Sequence, residues 1–221
     1  MSSHHIEIQS ASKHYGKVKA LNGASLIFEK GGQYALTGAS GSGKSTLLYL
    51  VGGLDRADEG QVLVDGRNLN SLSDDDLARY RGTDVGFVFQ FHFLLNSLNC
   101  RDNILLPSKI SAKNTKDVEA RVEELSKQLG VSNLLDKFPY QLSGGEQQRI
   151  NIIRALSLQP KLLLCDEPTG NLDSNNTEIV VNLLMKLAHE QQTTLIVVTH
   201  DRNVASRFNK QIEMRDGQIV H

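Results

Sequence analysis

Three short runs of consecutive apolar residues recur along the chain, at residues 34–36, 162–165 and 195–198. Each run ends in a polar loop, and each loop leads into a stretch with the apolar spacing of a helix. Continuous apolar runs are typical of parallel strands, because helices cover both faces of a parallel sheet. The pattern therefore predicts an α/β core built on a parallel sheet.

Near the N-terminus apolar residues alternate with polar ones, which is the pattern of antiparallel strands with one buried face. The alternation around Ile6 and Ile8 stops near Gly16 and resumes over residues 24–28. A second strand pair is indicated by residues 61–64, which an Asp-Gly turn sequence follows. We expect these strands to form a small sheet of their own.

Strand-like runs disappear between residues 91 and 150, and apolar residues recur there at helical spacing, at Val118, Val122, Leu125 and Leu129. The tail, residues 211–220 with Asp-Gly at its centre, predicts a hairpin. We therefore predict a single domain over residues 1–221. Residues 1–90 and 151–221 form its core with the β subdomain, and residues 91–150 form an inserted helical subdomain.

The composition is that of a soluble globular protein, with 39% hydrophobic and 22% charged residues in 221. No apolar run approaches the roughly 20 residues of a transmembrane helix, and the first residues lack the pattern of an export signal. A net charge of -1 provides no basic field for a nucleic-acid backbone, so we expect no nucleic-acid partner. Cys100 and Cys165 match no metal or redox spacing, and we interpret both as structural.

The segment after the first apolar run has the pattern G-x-x-x-x-G-K-S, directly before a helix-like stretch. Glycines let successive backbone N–H groups surround a phosphate, and the following helix directs its positive N-terminus at the same anion. A flexible glycine-rich turn is the alternative, but the position between a strand and a helix favours a nucleotide site. We expect Lys44 to reach the β and γ phosphates and Ser45 to ligate Mg²⁺. The predicted phosphate-binding residues are Gly38, Ala39, Ser40, Gly41, Ser42, Gly43, Lys44, Ser45 and Thr46.

The other two apolar runs end in residues suited to ATP hydrolysis. Asp166 and Glu167 follow one run, and His200 follows the other. At the carboxyl edge of a parallel sheet, Asp166 would hold Mg²⁺ and Glu167 would polarise the attacking water. Acids in this position are also common helix caps, and an isolated histidine is more often structural. The neighbouring phosphate loop favours the catalytic interpretation of all three.

A second helix N-terminus is suited to phosphate, at LSGGEQQR, residues 142–149. Ser143 and Glu146 have capping-box spacing, which by itself would only start a helix. The capping box does not explain Gly144 and Gly145, which weaken helix nucleation but leave backbone N–H groups open for an anion. One nucleotide does not obviously need both helix N-termini from one chain.

These motifs resemble the nucleotide-binding subunit of ABC transporters, over essentially the whole chain. The most specific element is LSGGEQQR, which lies shortly before LLLCDEPTGNLD. The resemblance implies a P-loop NTPase (RecA-like) parallel-sheet core with an N-terminal antiparallel β subdomain and an inserted α-helical subdomain. It also implies a head-to-tail dimer that hydrolyses ATP with Mg²⁺, each ATP lying between one chain's phosphate loop and the other chain's LSGGEQQR.

By the same resemblance, Tyr15 stacks on adenine and Gln90 contacts Mg²⁺ and the attacking water. Asp173 lies at the dimer interface, and His200 contacts the γ-phosphate. The LSGGEQQR residues that reach the partner's ATP are Ser143, Gly144, Gly145 and Glu146. The chain has Asn171 where many relatives carry a small residue.

Three further segments are GGLD at residues 52–55, FVFQFHFLL at residues 87–95 and EMRDG at residues 213–217. They carry a narrower similarity to the ATPases of the lipoprotein-releasing and macrolide-export group. It implies a separate permease, attachment to the cytoplasmic face of the inner membrane through that permease, and a hydrophobic or amphiphilic client such as a drug, peptide, haem or lipoprotein. We expect an apolar set to contact the permease, although core packing is an alternative for each member. These residues are Phe91, Phe93, Leu94, Leu95 and Leu98.

Three other functions remain open at this point. A non-transporting mechanotransducer of the cell-division type would use the same ATPase motifs. A soluble ABC ATPase acting on DNA or ribosomes usually carries two cassettes or a coiled-coil insertion, and this sequence shows neither. A small-molecule P-loop kinase would leave LSGGEQQR unexplained.

Overall fold

The computed structural model describes residues 4–111 and 115–220, which form two sheets and the helices packed around them. The strands are β1 His4–Tyr15, β2 Val18–Glu29, β3 Gln33–Thr37, β4 Glu59–Val64, β5 Arg67–Asn68, β6 Val85–Phe89, β7 Leu162–Asp166, β8 Thr194–Val198, β9 Lys210–Arg215 and β10 Gln218–Val220. The helices are α1 Lys44–Val51, α2 Asp74–Thr83, α3 Cys100–Ile110, α4 Thr115–Gln128, α5 Gly144–Leu156, α6 Ser174–Glu190 and α7 Arg202–Ala205. Short 3-10 turns lie at Leu69–Ser71, Ser132–Leu134 and Pro139–Gln141.

The larger sheet has six strands in the order β10-β9-β3-β8-β7-β6, and every pair except β10 with β9 is parallel. The three apolar runs are β3, β7 and β8, so the predicted parallel core is confirmed. Alternate side chains of these strands pack into two different hydrophobic cores, one on each face of the sheet. Leu162 and Leu164 face the smaller sheet, whereas Leu163 and Cys165 face the helices. Both faces are buried, which explains why the runs are uninterrupted.

The smaller sheet is antiparallel, in the order β2-β1-β4-β5, as the N-terminal alternation predicts. Ile6 pairs with Val64 and Ile8 with Val62, and these four side chains are buried. Their apolar faces share one core with α1 and with one face of the larger sheet. The first helix therefore lies in the core between the two sheets.

Two elements were not predicted from the sequence, β6 and α2. Strand β6 contains Gly86, where a Cβ would lie 2.4 Å from the Ala155 carbonyl oxygen of α5. The glycine permits close packing, but it also breaks the apolar run. Helix α2 buries only Leu77 and Tyr80, which gives too weak a pattern to recognise.

The predicted C-terminal hairpin is confirmed as β9 and β10. Sequence reasoning did not show that β9 also pairs in parallel with β3, the strand before the phosphate loop. The hairpin is therefore part of the main sheet.

Between residues 91 and 150 the described chain forms helices and 3-10 turns without a strand. The residues Val118, Val122, Leu125 and Leu129 are all buried. Helix α5 continues through residue 150 and packs into the core beside β6. Among the described residues, no helix combines the length and the apolar character needed to span a bilayer.

Candidate nucleotide-hydrolysis site

The phosphate loop connects β3 to α1, and two of its glycines lie too close to other backbone atoms to carry a side chain. Gly43 has a φ of 98°, and a Cβ there would lie 2.3 Å from the Ala20 carbonyl oxygen. A Cβ at Gly38 would lie 2.2 Å from the Met214 carbonyl oxygen. The two glycines therefore allow the phosphate loop to pack directly against β2 and β9, and in this position its glycine-rich backbone can form the cradle that phosphate requires.

The C-terminal hairpin supports this loop from behind. The Gly217 N–H donates to the Ser42 carbonyl oxygen at 3.1 Å, and the Gly217 carbonyl accepts from the Asn22 N–H at 2.9 Å. One turn thus joins the phosphate loop to β2. Sequence reasoning did not identify this support, because Gly217 lies 175 positions beyond Ser42 and no local pattern connects them.

Lys44 is buried within the phosphate loop. Its Nζ donates to the carbonyl oxygens of Gly38 and Ala39, at 2.9 and 2.8 Å. Burial lowers the pKa of Lys44, while the negative charges of Glu167 and Asp166 act in the opposite direction. The ammonium group therefore lies at the phosphate loop with both acidic residues near it.

Ser45 and Asp166 provide adjacent oxygen atoms at the edge of the sheet. The Ser45 Oγ donates to Asp166 Oδ1 at 3.0 Å, and the Tyr49 hydroxyl donates to Asp166 Oδ2 at 3.1 Å. Burial, together with the Asp166 charge, raises the pKa of Tyr49 to about 12, so the hydroxyl remains a donor. A hydroxyl and a carboxylate are the oxygen ligands that Mg²⁺ prefers, so the residues present fit this ion.

Tyr49 was missed from the sequence. Its position four residues after Ser45 places both side chains on one face of α1, and this spacing is the signal that could have revealed it.

Glu167 and His200 meet across the ends of β7 and β8. Their Oε1 and Nδ1 atoms are 2.8 Å apart. Glu167 has a φ of 49°, and its backbone N–H donates to the Val198 carbonyl oxygen at 3.0 Å. An unusual backbone conformation for a glutamate thus holds this side chain at the cleft.

One cleft brings together most of the predicted hydrolytic residues. Its lining includes the side chains or backbone of Lys44, Ser45, Gln90, Glu167 and His200, together with phosphate-loop glycines and Thr46. Asp166 borders it through the hydrogen bond to Ser45. The parallel strand order explains the convergence, because the carboxyl ends of β3, β6, β7 and β8 lie at one edge.

Gln90 follows β6 and contacts the loop that precedes α6. The Asn171 Nδ2 donates to the Gln90 carbonyl oxygen at 3.2 Å, and the Gln90 Nε2 donates to Asn171 Oδ1 at 3.4 Å. A Cβ at Gly170 would lie 2.8 Å from the Gln90 Nε2. The unusual Asn171 noted in the sequence is therefore a direct partner of Gln90, a contact that sequence reasoning did not find.

The predicted second phosphate site begins α5. Ser143 and Glu146 form the capping box, with the Ser143 N–H donating to Glu146 Oε2 at 2.8 Å. At Gly145 a Cβ would lie 2.6 Å from Asn176 Oδ1, and Asp173 caps α6 through the Asn176 N–H at 2.8 Å. Within the described chain, the LSGGEQQR residues do not line the cleft around Lys44. The two helix N-termini therefore belong to different surfaces of one chain.

Tyr15 lies at the end of β1 with 47% of its surface exposed. Its hydroxyl donates to Asp55 Oδ2 at 2.7 Å, and the Lys13 ammonium lies 5.5 Å from its ring centroid. Lys13 also bonds Asp55 at 2.7 Å. The ring is thus held in place and partly open to solvent, as a stacking residue requires.

The apolar set after Gln90 divides into two groups. Phe91 and Phe93 are each 64% exposed and Leu95 is 46% exposed. Leu94 packs against the helical core, and Leu98 is half-buried. The two phenylalanine rings contact each other, with centroids 6.5 Å apart.

The glycine cradle, the oxygen pair and the Glu167–His200 pair on one parallel-sheet edge define a P-loop nucleotide hydrolase. The ABC transporter family model matches residues 21–170, so the chain belongs to the ABC transporter ATPases. The chain is therefore an ATP-hydrolysing subunit of that family.

Similar proteins and a similar solved structure agree with this assignment. A lipoprotein-releasing system ATP-binding protein LolD from Bdellovibrio bacteriovorus is 43% identical over 210 residues, which cover 95% of this chain and 96% of that protein. A macrolide export ATP-binding/permease protein MacB from Mannheimia succiniciproducens is 42% identical over 97% of this chain, which corresponds to 34% of that longer protein. A dimeric post-hydrolysis structure of the ATP-binding cassette MJ0796, bound to ADP and Pi, has 36% identity and a TM-score of 0.88, covering 98% of this chain and 97% of that one.

Proposed function

We propose that ATP is hydrolysed at the cleft by residues that each have a separate task. Lys44 and the phosphate-loop N–H groups bind the phosphates, while Ser45, Asp166 and Gln90 hold Mg²⁺. Bound Mg²⁺ supplies positive charge that offsets the charge of the β and γ phosphates. Glu167 orients the attacking water. The observation that carries this proposal is the 2.8 Å contact of Glu167 with His200, at the ends of adjacent strands beside the phosphate loop.

His200 positions Glu167 and donates a hydrogen bond toward the γ-phosphate in this scheme. Its side chain is 71% exposed, whereas that of Glu167 is 18% exposed. The histidine is therefore accessible to a ligand in the cleft while it holds the less exposed glutamate. Tyr15, at the rim, supplies the surface on which the adenine ring stacks.

The active unit is a head-to-tail dimer with two MgATP. Support comes from the exposed N-terminus of α5, which carries an anion-binding backbone but does not line its own chain's cleft. In a head-to-tail pair this terminus reaches the partner's γ-phosphate, and Asp173 lies at the interface. The dimeric state of the similar cassette structure also supports this arrangement.

The test is ATP hydrolysis and oligomeric state in the wild type and in Glu167→Gln. We expect the variant to lose hydrolysis, to retain ATP binding and to form a stable dimer only with MgATP. Its matched control is Glu178→Gln, a nearby exposed carboxylate on α6, which should behave as the wild type. Hydrolysis that persists in E167Q would contradict the role of Glu167.

The dimer has its own test, in which two inactive variants are mixed. Lys44→Ala disables the phosphate loop, and Ser143→Arg blocks the N-terminus of α5. A mixed dimer of the two contains one intact composite site, formed by the phosphate loop of the S143R chain and the Ser143 helix of the K44A chain. Recovery of activity on mixing supports the shared site, whereas no recovery at any ratio would contradict it.

The dimer drives a separate integral-membrane permease from the cytoplasmic face of the inner membrane. Its client is a hydrophobic or amphiphilic molecule that is exported or extracted from the membrane. The named functions of the similar LolD and MacB proteins, lipoprotein release and macrolide export, support this client class. The exposed Phe91, Phe93 and Leu95 provide an apolar surface for the permease.

The corresponding measurement is ATPase activity of the copurified complex in lipid, with and without a triacylated lipopeptide or a macrolide. Stimulation by either class identifies the client type. Phe91→Ser should reduce stimulation while the isolated chain keeps its basal activity, and Ile110→Ser, at another exposed apolar position, should leave both unchanged. A complex in which neither molecule affects hydrolysis would oppose the proposed client class.

A further inference from the structure

Arg154, near the end of α5, holds the backbone of the exposed aromatic segment. Its Nη1 donates to the Phe93 carbonyl oxygen and its Nη2 to the His92 carbonyl oxygen, each at 2.8 Å. The Nη2 also donates to Asn151 Oδ1 at 2.8 Å. One guanidinium group thus joins two successive carbonyls of the segment to α5, the helix whose N-terminus is Ser143.

All three acceptors of Arg154 are neutral. Among residues 4–111 and 115–220, no carboxylate forms an ion pair with its guanidinium group. Burial lowers the pKa of Arg154 and no neighbouring charge compensates. A half-buried cation without a carboxylate is costly, so its cost must be offset by the carbonyl bonds.

The backbone conformation of the segment allows its carbonyl groups to accept hydrogen bonds from this guanidinium group. Phe93 has a φ of 47°, which is unusual for a residue with a large side chain. Its carbonyl accepts from Arg154, while its ring remains exposed. The conformation therefore directs the backbone toward α5 and the aromatic surface toward solvent.

A second side chain fixes the other end of the segment by hydrogen bonds. Asn103 of α3 is fully buried, and its Oδ1 accepts from the Leu95 N–H at 2.7 Å. Its Nδ2 donates to the carbonyl oxygens of Leu95 and Leu98, at 3.0 Å each. The segment is consequently hydrogen-bonded to both α3 and α5, while the Phe93 ring also contacts Phe89 of β6, with centroids 5.5 Å apart.

We propose that Arg154 is a positioning residue that makes the aromatic segment, residues 91–95, move as one body with α5. When the partner's ATP engages the N-terminus of α5, the helix and the segment shift together, and the permease contacts the shifted aromatic surface. This inference rests on the proposed ATP dimer and on the proposed docking of the permease at Phe91 and Phe93.

Arginine is required by the geometry of this link. The two carbonyls accept from different terminal nitrogens of one planar group, and a lysine ammonium offers only a single nitrogen. Arg154→Lys should therefore retain the charge and part of the contact, whereas Arg154→Met should remove all three hydrogen bonds. Arg121→Met is the matched control, because Arg121 also donates to a backbone carbonyl at the end of α5, that of Leu156, but does not contact the segment.

The test is hydrogen–deuterium exchange of residues 91–95 in the Glu167→Gln chain, with and without MgATP. We expect MgATP to change exchange of the segment in E167Q and in E167Q with R121M. In E167Q with R154M the N-terminus of α5 still becomes protected, but the segment no longer responds. In E167Q with R154K, MgATP should change exchange of the segment less than in E167Q alone. This variant still tests the proposal if R154M fails to fold.

The second readout is ATPase activity of the permease complex without the E167Q change. R154M should lose permease-dependent stimulation while the isolated chain retains its basal rate, and R121M should keep both. A segment that responds to MgATP equally in R154M and R121M would overturn the proposed role of Arg154. Failure of E167Q to dimerise would overturn the proposed function first, and this inference with it, so the two failures are distinguishable.

Discussion

Two glycines of the phosphate loop provide a matched test of how closely the loop packs against the rest of the molecule. Gly41 and Gly43 both have positive φ, 78° and 98°. A Cβ at Gly41 would meet nothing within 4 Å, whereas a Cβ at Gly43 would lie 2.3 Å from the Ala20 carbonyl oxygen and 3.1 Å from Leu21 Cδ2. The two alanine variants therefore share backbone strain and differ in steric contact.

The expected magnitudes follow from these distances. Placing alanine at positive φ costs about 1–2 kcal/mol, and a smaller conformational entropy in the unfolded chain offsets part of that cost in both variants. Gly43→Ala adds overpacking against backbone that belongs to β2, which costs about 1–3 kcal/mol more. For a chain of this size each 1 kcal/mol lowers Tm by about 2–4 °C. Gly43→Ala should therefore lower Tm by about 2–12 °C more than Gly41→Ala does.

Thermal unfolding followed by circular dichroism, without nucleotide, measures this difference directly. Urea denaturation at 25 °C supplies the free energies, provided that both variants have the same m-value. Equal loss of stability in the two variants would refute the argument, because it would mean that the loop can move away from β2 without cost.

Three further predictions concern Glu146, Asn171 and the two cysteines. The backbone N–H of the serine at the start of α5 holds the pKa of Glu146 below its usual range, so this carboxylate stabilises the protein at neutral pH. Glu146→Gln keeps the hydrogen bonds and should lower Tm at pH 7. The difference from wild type should shrink as the pH falls from about 4.3, the unfolded pKa, through the lowered folded pKa; a constant difference would contradict this. Asn171→Ala removes two hydrogen bonds to Gln90, together worth about 1 kcal/mol. It should lower kcat about fivefold with little change in the KM for ATP. A change confined to KM would contradict the proposed action of Asn171 through Gln90. Burial raises the pKa of Cys165 and that of Cys100, the latter to about 11, so neither native thiol should react with a thiol reagent at pH 7.5 until the chain is denatured.

The sequence predicts those parts of the fold that depend on local pattern. The runs at β7 and β8 are uninterrupted because both faces of these strands are buried, and the phosphate loop is recognisable because its residues are consecutive. Strand β6 was missed because Gly86, which close packing against α5 requires, shortens its apolar run to residues 87–89, and further apolar residues after Gln90 obscure where the strand ends.

Contacts between distant parts of the chain were not predictable in the same way. Gln90 and Asn171 are 81 positions apart, and their interaction depends on the order of β6 and β7 in the sheet. Arg154 reaches His92 across 62 positions. An arginine in a helix has many possible partners, and only the packing of α5 beside the segment selects these carbonyls.

The hairpin turn at Gly217 supports the phosphate loop, but it is synthesised much later than the loop itself. A ribosome completes the loop's own residues early, but the N–H that bonds the Ser42 carbonyl belongs to a residue added 175 positions later. Strand β9, which flanks β3, is likewise synthesised long after the loop. Because chains fold as they emerge, the loop lacks this support until residue 217 has been added and has folded against it. A nascent chain should therefore form the complete phosphate loop only after the hairpin has left the ribosome.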